Sequence, residues 1–319
     1  MRAAWYEKTG PASKVLVVGE LPDPTPGPGE VLVRVRYSGV NPGDAKKREG
    51  WQGGPMPYPR VIPHSDASGV IDAVGAGVDA ARVGRRVWVH GAQSYRPFGT
   101  AAEYVVVPGD LAVDLPDGVP DTLGACLGIP GITAHRCVFA DGPVAGKTVL
   151  VQGVLGGVGR LAALLARQGG AAVIGTVRKD ADVAAAAEVA DHVVVLGAGA
   201  EAAVRAIAPD GVDRIVEVAF GDNIAFDSDV VALDGVLAAY ATRQAEPALP
   251  FWPLLFANVT IRLVGSDDLS VEARADAVRD LSALAVGLAV PHVVLPLDRV
   301  AEAHDRVDAG SRERVLLSV

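Results

Sequence analysis

Residues 149–159, an apolar β-forming run that passes directly into a glycine cluster, constrain the fold of this chain more than any other segment. Glycines allow the backbone to approach a pyrophosphate closely, and the unpaired N–H groups and dipole of a helix N-terminus favour negative charge there. A strand is predicted over 148–152, a helix over 157–168 and a second strand over 172–176. This context predicts a dinucleotide site, although a glycine-rich turn can also serve packing alone. The predicted cofactor-binding residues of the turn are Gly153, Val154, Leu155, Gly156, Gly157, Val158 and Gly159.

The end of the second strand indicates which dinucleotide binds. An acidic side chain at this place would bind a ribose 2′-hydroxyl, whereas a cation pairs with a 2′-phosphate. Arg178 and Lys179 stand there, two and three residues after Thr176. Thr176 itself is predicted as a further cofactor contact. The pattern favours NADPH. The alternative is that both cations are solvated and Asp180 binds the ribose.

The pattern of the chain changes near residue 125. Residues 3–120 form short β-rich runs separated by glycine and proline, which predicts an antiparallel or barrel-like β domain. After residue 125, apolar β runs alternate with alanine-rich helical stretches such as 183–190, a pattern typical of a doubly wound parallel sheet. The tail over 293–319 reads as strand, helix and strand, and could complete the first domain.

Composition excludes several classes of partner. A chain of 319 residues is expected to form about two domains. Its net charge of -9 provides no overall positive field for nucleic acid or an anionic membrane surface. The most apolar run, 281–297, is interrupted by Ser282, Pro291 and His292 and is too polar to span a bilayer. With two cysteines and no signal-peptide pattern at its start, the chain is expected to be cytoplasmic.

Seven stretches of the chain together resemble one family. They are 39–44 (GVNPGD), 62–71 (IPHSDASGVI), 84–88 (GRRVW), 99–104 (GTAAEY), 127–134 (LGIPGITA), 153–159 (GVLGGVG) and 301–304 (AEAH). In these, the chain is similar to the zinc-independent medium-chain dehydrogenases/reductases of the NADPH:quinone oxidoreductase and ζ-crystallin group. The resemblance implies an α/β protein with a GroES-like β-barrel catalytic domain from residues 1–124 and 263–319. It also implies a doubly wound Rossmann NADPH-binding domain from 125–262, a cleft where the nicotinamide meets the substrate, and a homodimer.

The same resemblance assigns site residues. Asn41 and Asp44 are expected at the cleft and Thr133 on the nicotinamide side. The family often has a tyrosine shortly after its Asn-Pro-x-x-Asp motif, and here Gln52 stands in that region. Gln52 can polarise a carbonyl, and Tyr58 is the nearest substitute for the tyrosine hydroxyl. The residues expected to flank the cofactor after the late strand are Ala241, Thr242 and Arg243.

No metal site is predicted. A catalytic zinc needs about three Cys, His or carboxylate ligands, and residues 1–125 contain no cysteine. The Gly-His-Glu motif of zinc-dependent relatives is replaced by His64-Ser65-Asp66. A site built from His64, Asp66 and His90, and with it a zinc alcohol dehydrogenase, is the alternative.

The function these residues favour is hydride transfer from NADPH to a quinone or an α,β-unsaturated carbonyl. Two alternatives remain: a biosynthetic ene or enoyl reductase with one substrate, and a non-catalytic NADPH-binding protein. The bulk of His64, Val154 and Ala241, where the family has smaller residues, is expected to narrow the cofactor cleft. In the loop 90–98, Tyr95 and Arg96, with His90, could bind a polar acceptor or be neutral surface residues.

Overall fold

The computed structural model describes the backbone of residues 1–319 and every side chain except that of Gln52. The chain forms two compact units, one of Met1–Pro130 with Val278–Val319 and one of Gly131–Ala277. Both boundaries lie later in the chain than the expected ones at 124 and 262. Within the described residues, no helix is both long and apolar enough to cross a membrane.

Strands and helices are numbered in chain order. The strands are β1 (Arg2–Trp5), β2 (Val17–Glu20), β3 (Glu30–Val40), β4 (Asp66–Val74), β5 (Arg86–Val89), β6 (Tyr104–Pro108), β7 (Ala112–Asp114), β8 (Thr148–Val151), β9 (Ala172–Val177), β10 (His192–Val195), β11 (Val212–Glu217), β12 (Val231–Ala239), β13 (Thr260–Leu263), β14 (His292–Pro296) and β15 (Arg314–Ser318). The α-helices are α1 (Ala12–Val15), α2 (Pro42–Glu49), α3 (Asp121–Phe139), α4 (Gly157–Gln168), α5 (Val183–Ala186), α6 (Ala200–Ile207), α7 (Phe220–Val230), α8 (Phe251–Phe256), α9 (Val271–Ala285) and α10 (Val300–Asp308).

The first unit contains a sheet in the order β14-β15-β3-β4-β5-β7, with β6 also paired to β3. Along β3 the side chains of Val31, Val33 and Val35 are buried, whereas Arg34 and Arg36 are exposed. This alternation is the pattern of a strand with one face on a core. The C-terminal strand β15 pairs antiparallel with β3, so the tail completes the first unit.

The second unit is a doubly wound parallel sheet, as predicted. Its order is β10-β9-β8-β11-β12-β13, and every neighbouring pair is parallel. The chain runs outward from β8 to β10, then returns to pair β11 with β8 and runs outward on the other side. The carboxyl ends of β8 and β11 therefore flank the switch point, where ligands bind in open α/β sheets.

One helix is shorter than expected, and another is broken at a glycine. The helix predicted over 183–190 is limited to α5, because the Ala186 carbonyl accepts the N–H groups of both Val189 and Ala190 in a closing turn. The helix α3 is broken at Gly128, whose ψ is -115°. A Cβ at Gly128 would lie 2.1 Å from Asp66 Oδ1, so a glycine is required there.

Candidate functional site

The glycine turn between β8 and α4 has the geometry of a phosphate-binding loop. Gly153 has a φ of +63°, and a Cβ on Gly159 would lie 2.4 Å from the Gly153 carbonyl oxygen. Both positions therefore require glycine. The cap residue Gly156 precedes α4, which begins at Gly157 as predicted.

The hydrogen bonds of the turn determine which of its N–H groups can receive a ligand. The N–H groups of Gly153 and Val154 donate to the Thr176 side chain and carbonyl, at 3.1 and 3.2 Å. Within the described residues, Gly157, Val158 and Gly159 at the start of α4 have N–H groups without an acceptor. These unpaired donors and the helix dipole fit a pyrophosphate.

Two residues predicted to contact the cofactor, Thr176 and Val154, are buried and support the turn from inside the unit. Thr176 is fully buried, and its hydroxyl donates to Gln152 Oε1 at 2.6 Å, so direct contact of this side chain with a cofactor is corrected to support of the turn. Val154 is also fully buried, and a Cβ on Gly175 would lie 2.8 Å from Val154 Cγ1. Because Gly175 accommodates the larger side chain, Val154 does not project from the turn to narrow a cleft.

The end of β9 presents two cations. Arg178 and Lys179 follow the strand and are exposed. In the described part of the chain, neither side chain makes a hydrogen bond or an ion pair. Asp180, the residue of the alternative interpretation, is exposed beside them. An unpaired guanidinium and ammonium at this place suit a phosphate ligand.

The other predicted cofactor contacts of the second unit have different surroundings. Thr133 is buried on α3. Arg243 donates to Asp222 Oδ2 from both Nε and Nη2, at 3.0 and 2.7 Å. Thr242 Oγ1 accepts the Gln244 N–H at 3.2 Å, and Ala241 accepts the Phe220 N–H at the start of α7. The 241–243 segment thus packs on the N-terminus of α7.

Asn41 and Asp44, the predicted catalytic residues of the first unit, lie at the start of α2. Asn41 is the N-cap residue, and its N–H donates to Asp44 Oδ2 at 2.8 Å. Burial raises the pKa of the Asp44 carboxyl to about 7 against the opposing effect of Lys47. Asp44 is therefore a group that gives or takes a proton near neutral pH.

The Asn41 side chain joins a buried network that sequence reasoning missed. Asn41 Nδ2 donates to Asp66 Oδ2 at 2.8 Å, and Asn41 Oδ1 accepts from Arg314 Nη1 at 3.0 Å. Asp66 Oδ1 accepts the Ile129 N–H at 2.8 Å, directly after the break in α3. No sequence pattern links Arg314 to Asn41, because 273 residues separate them.

The other residues predicted to contact the substrate lie near or in the loop 90–98, and most of them already have partners in the protein. Gln52 lies outside the described side chains. The Tyr58 hydroxyl donates to the Tyr95 carbonyl at 2.5 Å and so anchors the loop 90–98, while its contact with an acceptor stays a prediction. In that loop His90 is buried, so it does not point to solvent, whereas Tyr95 is 71% exposed. Arg96 Nε donates to the Ala92 carbonyl at 3.0 Å.

His64 does not fit a metal ligand. It has a φ of +77°, and its ring lies between Ser38 Oγ, 2.9 Å from Nδ1, and His304 Nε2, 3.0 Å from Nε2. Both ring nitrogens are thus used, and the described residues hold no group of three His, Cys, Asp or Glu side chains that could bind a metal ion. These residues do not fit a catalytic zinc.

Comparisons with known proteins agree with this architecture. The profile of the alcohol dehydrogenase GroES-like domain matches residues 27–117, and that of the zinc-binding dehydrogenases matches residues 157–281. The quinone oxidoreductase of Rattus norvegicus is 31% identical over 247 residues, 76% of this chain and 74% of the rat protein. A solved NAD-dependent alcohol dehydrogenase is similar with a TM-score of 0.88 at 26% identity, covering 100% of both chains. A mycobacterial protein complexed with NADPH is similar with a TM-score of 0.85 at 27% identity, also over 100% of both chains.

Proposed function

Because the chain belongs to the medium-chain dehydrogenase/reductase family, we propose that it transfers a hydride from NADPH to a quinone or an α,β-unsaturated carbonyl without zinc. The observation that carries the choice of NADPH is the pair of exposed, unpaired cations Arg178 and Lys179 at the end of β9. Each charge-assisted hydrogen bond to a 2′-phosphate is worth about 1.5–3 kcal/mol. The rat relative, a quinone oxidoreductase, supports the class of acceptor.

The turn binds the pyrophosphate through the N–H groups of Gly157, Val158 and Gly159. When bound, NADPH supplies the hydride. Thr133 lies on the nicotinamide side, and the segment of Ala241, Thr242 and Arg243 flanks the cofactor, as the family resemblance implies. Asp222 accepts from Nε and Nη2 of Arg243, so the Nη1 donors of the guanidinium are left for a phosphate or ribose contact.

Hydride addition to a conjugated acceptor leaves an oxyanion or an enolate that needs a proton. Asp44 supplies this proton, because its buried carboxyl has a pKa of about 7 and is half protonated near neutral pH. Asn41 acts beside it by holding Asp66 and Arg314 in place, and its N–H orients the Asp44 carboxyl. The contacts of the His64 ring with Ser38 and His304 support a reaction without zinc.

We also propose a homodimer formed by the second unit. β13 is an edge strand of the parallel sheet, and Leu263 at its end is 76% exposed. The preceding helix α8 exposes Phe251, Trp252 and Phe256, the last by 74%. An apolar surface of this kind beside an open strand edge is typical of an interface. A second copy is the partner that matches it, since a strand paired with itself about a two-fold axis meets the same apolar side chains.

The experiment that tests the proposed function compares NADPH with NADH as the reductant of benzoquinone, phenanthrenequinone, several 2-enones and enoyl thioesters, followed by cofactor absorbance. Turnover of several quinones with NADPH supports the proposal. Turnover of a single enone or enoyl thioester, with none of the quinones, identifies a dedicated biosynthetic reductase. Tight NADPH binding without any turnover identifies a non-catalytic NADPH-binding protein, and preference for NADH refutes the role of Arg178 and Lys179.

A further inference from the structure

Two fully buried carboxyl groups, Glu217 and Asp227, face each other in the second unit. Glu217 ends β11, and its carboxylate accepts the N–H of Ala219 and the Asn223 side-chain amide, the latter at 3.1 Å. Asp227, on α7, has one oxygen, Oδ2, that receives no N–H or hydroxyl donor from the described residues. That oxygen belongs to the carboxyl group directed at Glu217.

Such a pair holds one proton between its two members. Two adjacent carboxylates without solvent repel each other strongly, so one of them remains protonated. Burial raises the pKa of Glu217 as well, but the N–H of Ala219 and the side-chain amide of Asn223 oppose this effect, so we assign the charge to Glu217. Asp227 carries the proton, and burial followed by the charge of Glu217 raises its pKa well above the ordinary value.

A chain of hydrogen bonds connects Asp227 to the glycine turn. Gln152 Nε2 donates to Asp227 Oδ1 at 2.9 Å, and Gln152 Oε1 accepts from the Thr176 hydroxyl at 2.6 Å. Thr176 has a single hydroxyl proton, so its oxygen accepts the Gly153 N–H, at 3.1 Å. Each donor therefore has one acceptor, and the direction of the chain is determined from Gly153 to Asp227.

The hydrogen-bond chain from Gly153 to Asp227 lies beside the expected ligand site. Gln152 follows β8 and Glu217 ends β11, the two adjacent strands that flank the switch point of the sheet. Thr176 lies on β9, on the other side of β8. The buried acids therefore lie behind the turn whose outward N–H groups meet a pyrophosphate.

We propose that Asp227 is a positioning residue, which holds the turn at Gly153 in its dinucleotide-binding conformation through Gln152 and Thr176 by sharing one proton with Glu217. This inference rests on the proposed function. It assigns to a residue on α7 a role in cofactor affinity without any contact to the cofactor.

The test measures the Kd for NADPH and for 2′,5′-ADP by titration calorimetry on the full chain. Asp227→Ala removes the last acceptor of the hydrogen-bond chain. Thr176→Val removes the hydroxyl of Thr176 at nearly constant side-chain volume. Each is expected to raise the Kd about tenfold, as the loss of one buried hydrogen bond implies. Asp227→Asn keeps both hydrogen bonds, because its amide donates to Glu217 and its oxygen accepts from Gln152, and it restores the wild-type Kd. Asp229→Asn, the same change at an exposed position on α7, is the matched control.

The shared proton has its own readout. In infrared difference spectra taken at a pH at which ordinary carboxyls are ionised, the carbonyl band of one more protonated carboxylic acid is expected in the wild type than in Asp227→Asn. This additional band is expected to be present in Asp229→Asn. This signal does not depend on whether a dinucleotide binds.

The outcomes separate the two proposals. If the wild type binds neither NADPH nor NADH, the proposed function fails, and the positioning role fails with it. If the wild type binds NADPH while folded Asp227→Ala and Thr176→Val bind it equally well, only the positioning role fails. A wild type without the additional infrared band refutes the shared proton, and Asp227→Asn with the weak binding of Asp227→Ala refutes the hydrogen-bond chain.

Discussion

Asn41 Nδ2 donates a hydrogen bond to Asp66 Oδ2 across 2.8 Å, and both side chains are buried. The other end of the amide accepts from Arg314, whose Nη2 lies 3.6 Å from the same Asp66 oxygen. The amide thus connects an anion to a cation in a place without solvent. Asn41, which is expected to contact the substrate, is therefore part of the interior of the first unit.

Replacement of Asn41 by alanine is therefore expected to reduce stability. It removes one partner each from buried Asp66 and Arg314, which costs about 1–3 kcal/mol in the free energy of unfolding. Urea denaturation of the wild type and the variant measures the difference. Unchanged stability with lost reduction would instead assign Asn41 to direct contact with the acceptor.

Arg178→Ala tests the 2′-phosphate contact. The variant is expected to raise KM for NADPH about 10- to 100-fold with kcat nearly unchanged, because the phosphate is remote from the hydride. NADH lacks this phosphate and provides the control within the same variant, since its KM should not change. An equal effect on both cofactors would contradict the assignment.

The paired histidines predict acid sensitivity. Burial is the main cause that lowers the pKa of His304 to about 3 and that of His64 well below 6.5, with Arg48 and Arg314 as the nearby cations. Below pH 6.5 the unfolded chain binds protons that the folded chain does not, so stability falls as pH falls, by at most about 1.4 kcal/mol per pH unit for each histidine.

His304→Gln removes one titrating group and keeps a hydrogen-bonding side chain beside His64, so its unfolding free energy should depend less on pH below 6.5 than that of the wild type. The raised pKa of Asp44 has the opposite effect on stability between pH 3.8 and about 7. The quantity to measure is therefore the difference in unfolding free energy between the variant and the wild type at each pH. His192→Gln, at an exposed position on β10, is the control and should leave the slope as it is. Equal slopes for all three proteins would refute this prediction.

Gly159→Ala should impair the turn. Its Cβ would lie 2.4 Å from the Gly153 oxygen, so the turn must shift, and we expect weaker NADPH binding and a lower Tm. Gly265→Ala is the matched control, because nothing lies within 4 Å of its Cβ. Differential scanning calorimetry with and without NADPH measures both effects, and identical behaviour of the two variants would contradict the packing argument.

Leu263→Asp tests the proposed homodimer. A carboxylate in an apolar interface opposes its own copy across the two-fold axis, so the variant is expected to be monomeric by light scattering after size exclusion. Val83→Asp, at a half-exposed apolar position of the first unit, is the control and should keep the mass of the wild type. A monomeric wild type would refute the proposal directly.

The elements of the second unit were predicted well because each one is encoded by residues that are adjacent in the sequence. The glycine cluster determines where α4 begins, and the helix spans Gly157–Gln168 as expected. Such a pattern does not say which side of the turn a residue occupies. The positions of Thr176 and Val154 beside the turn predict contact with the cofactor, yet both side chains are buried inside the unit.

Contacts between distant segments escaped prediction for a physical reason. Arg314 meets Asn41 only because β15 pairs with β3, and Asp227 meets Gln152 only because α7 returns over the sheet. The sequence of α7, FGDNIAFDSDV, lacks a clear apolar period, so neither the helix nor its buried acid could be recognised.

The pairing of β15 with β3 also bears on the order in which the two units acquire structure during synthesis. All six strands of the second unit lie in one uninterrupted stretch, from Thr148 to Leu263, and can assemble as soon as that stretch has left the ribosome. The sheet of the first unit must wait for residues 314–318, although the residues of β3 that pair with them are made about 280 residues earlier. Until then residues 37–40 of β3 lack the partner strand on one edge and are open to other chains, so this end of β3 is the part of the sheet that needs protection while the protein is being made.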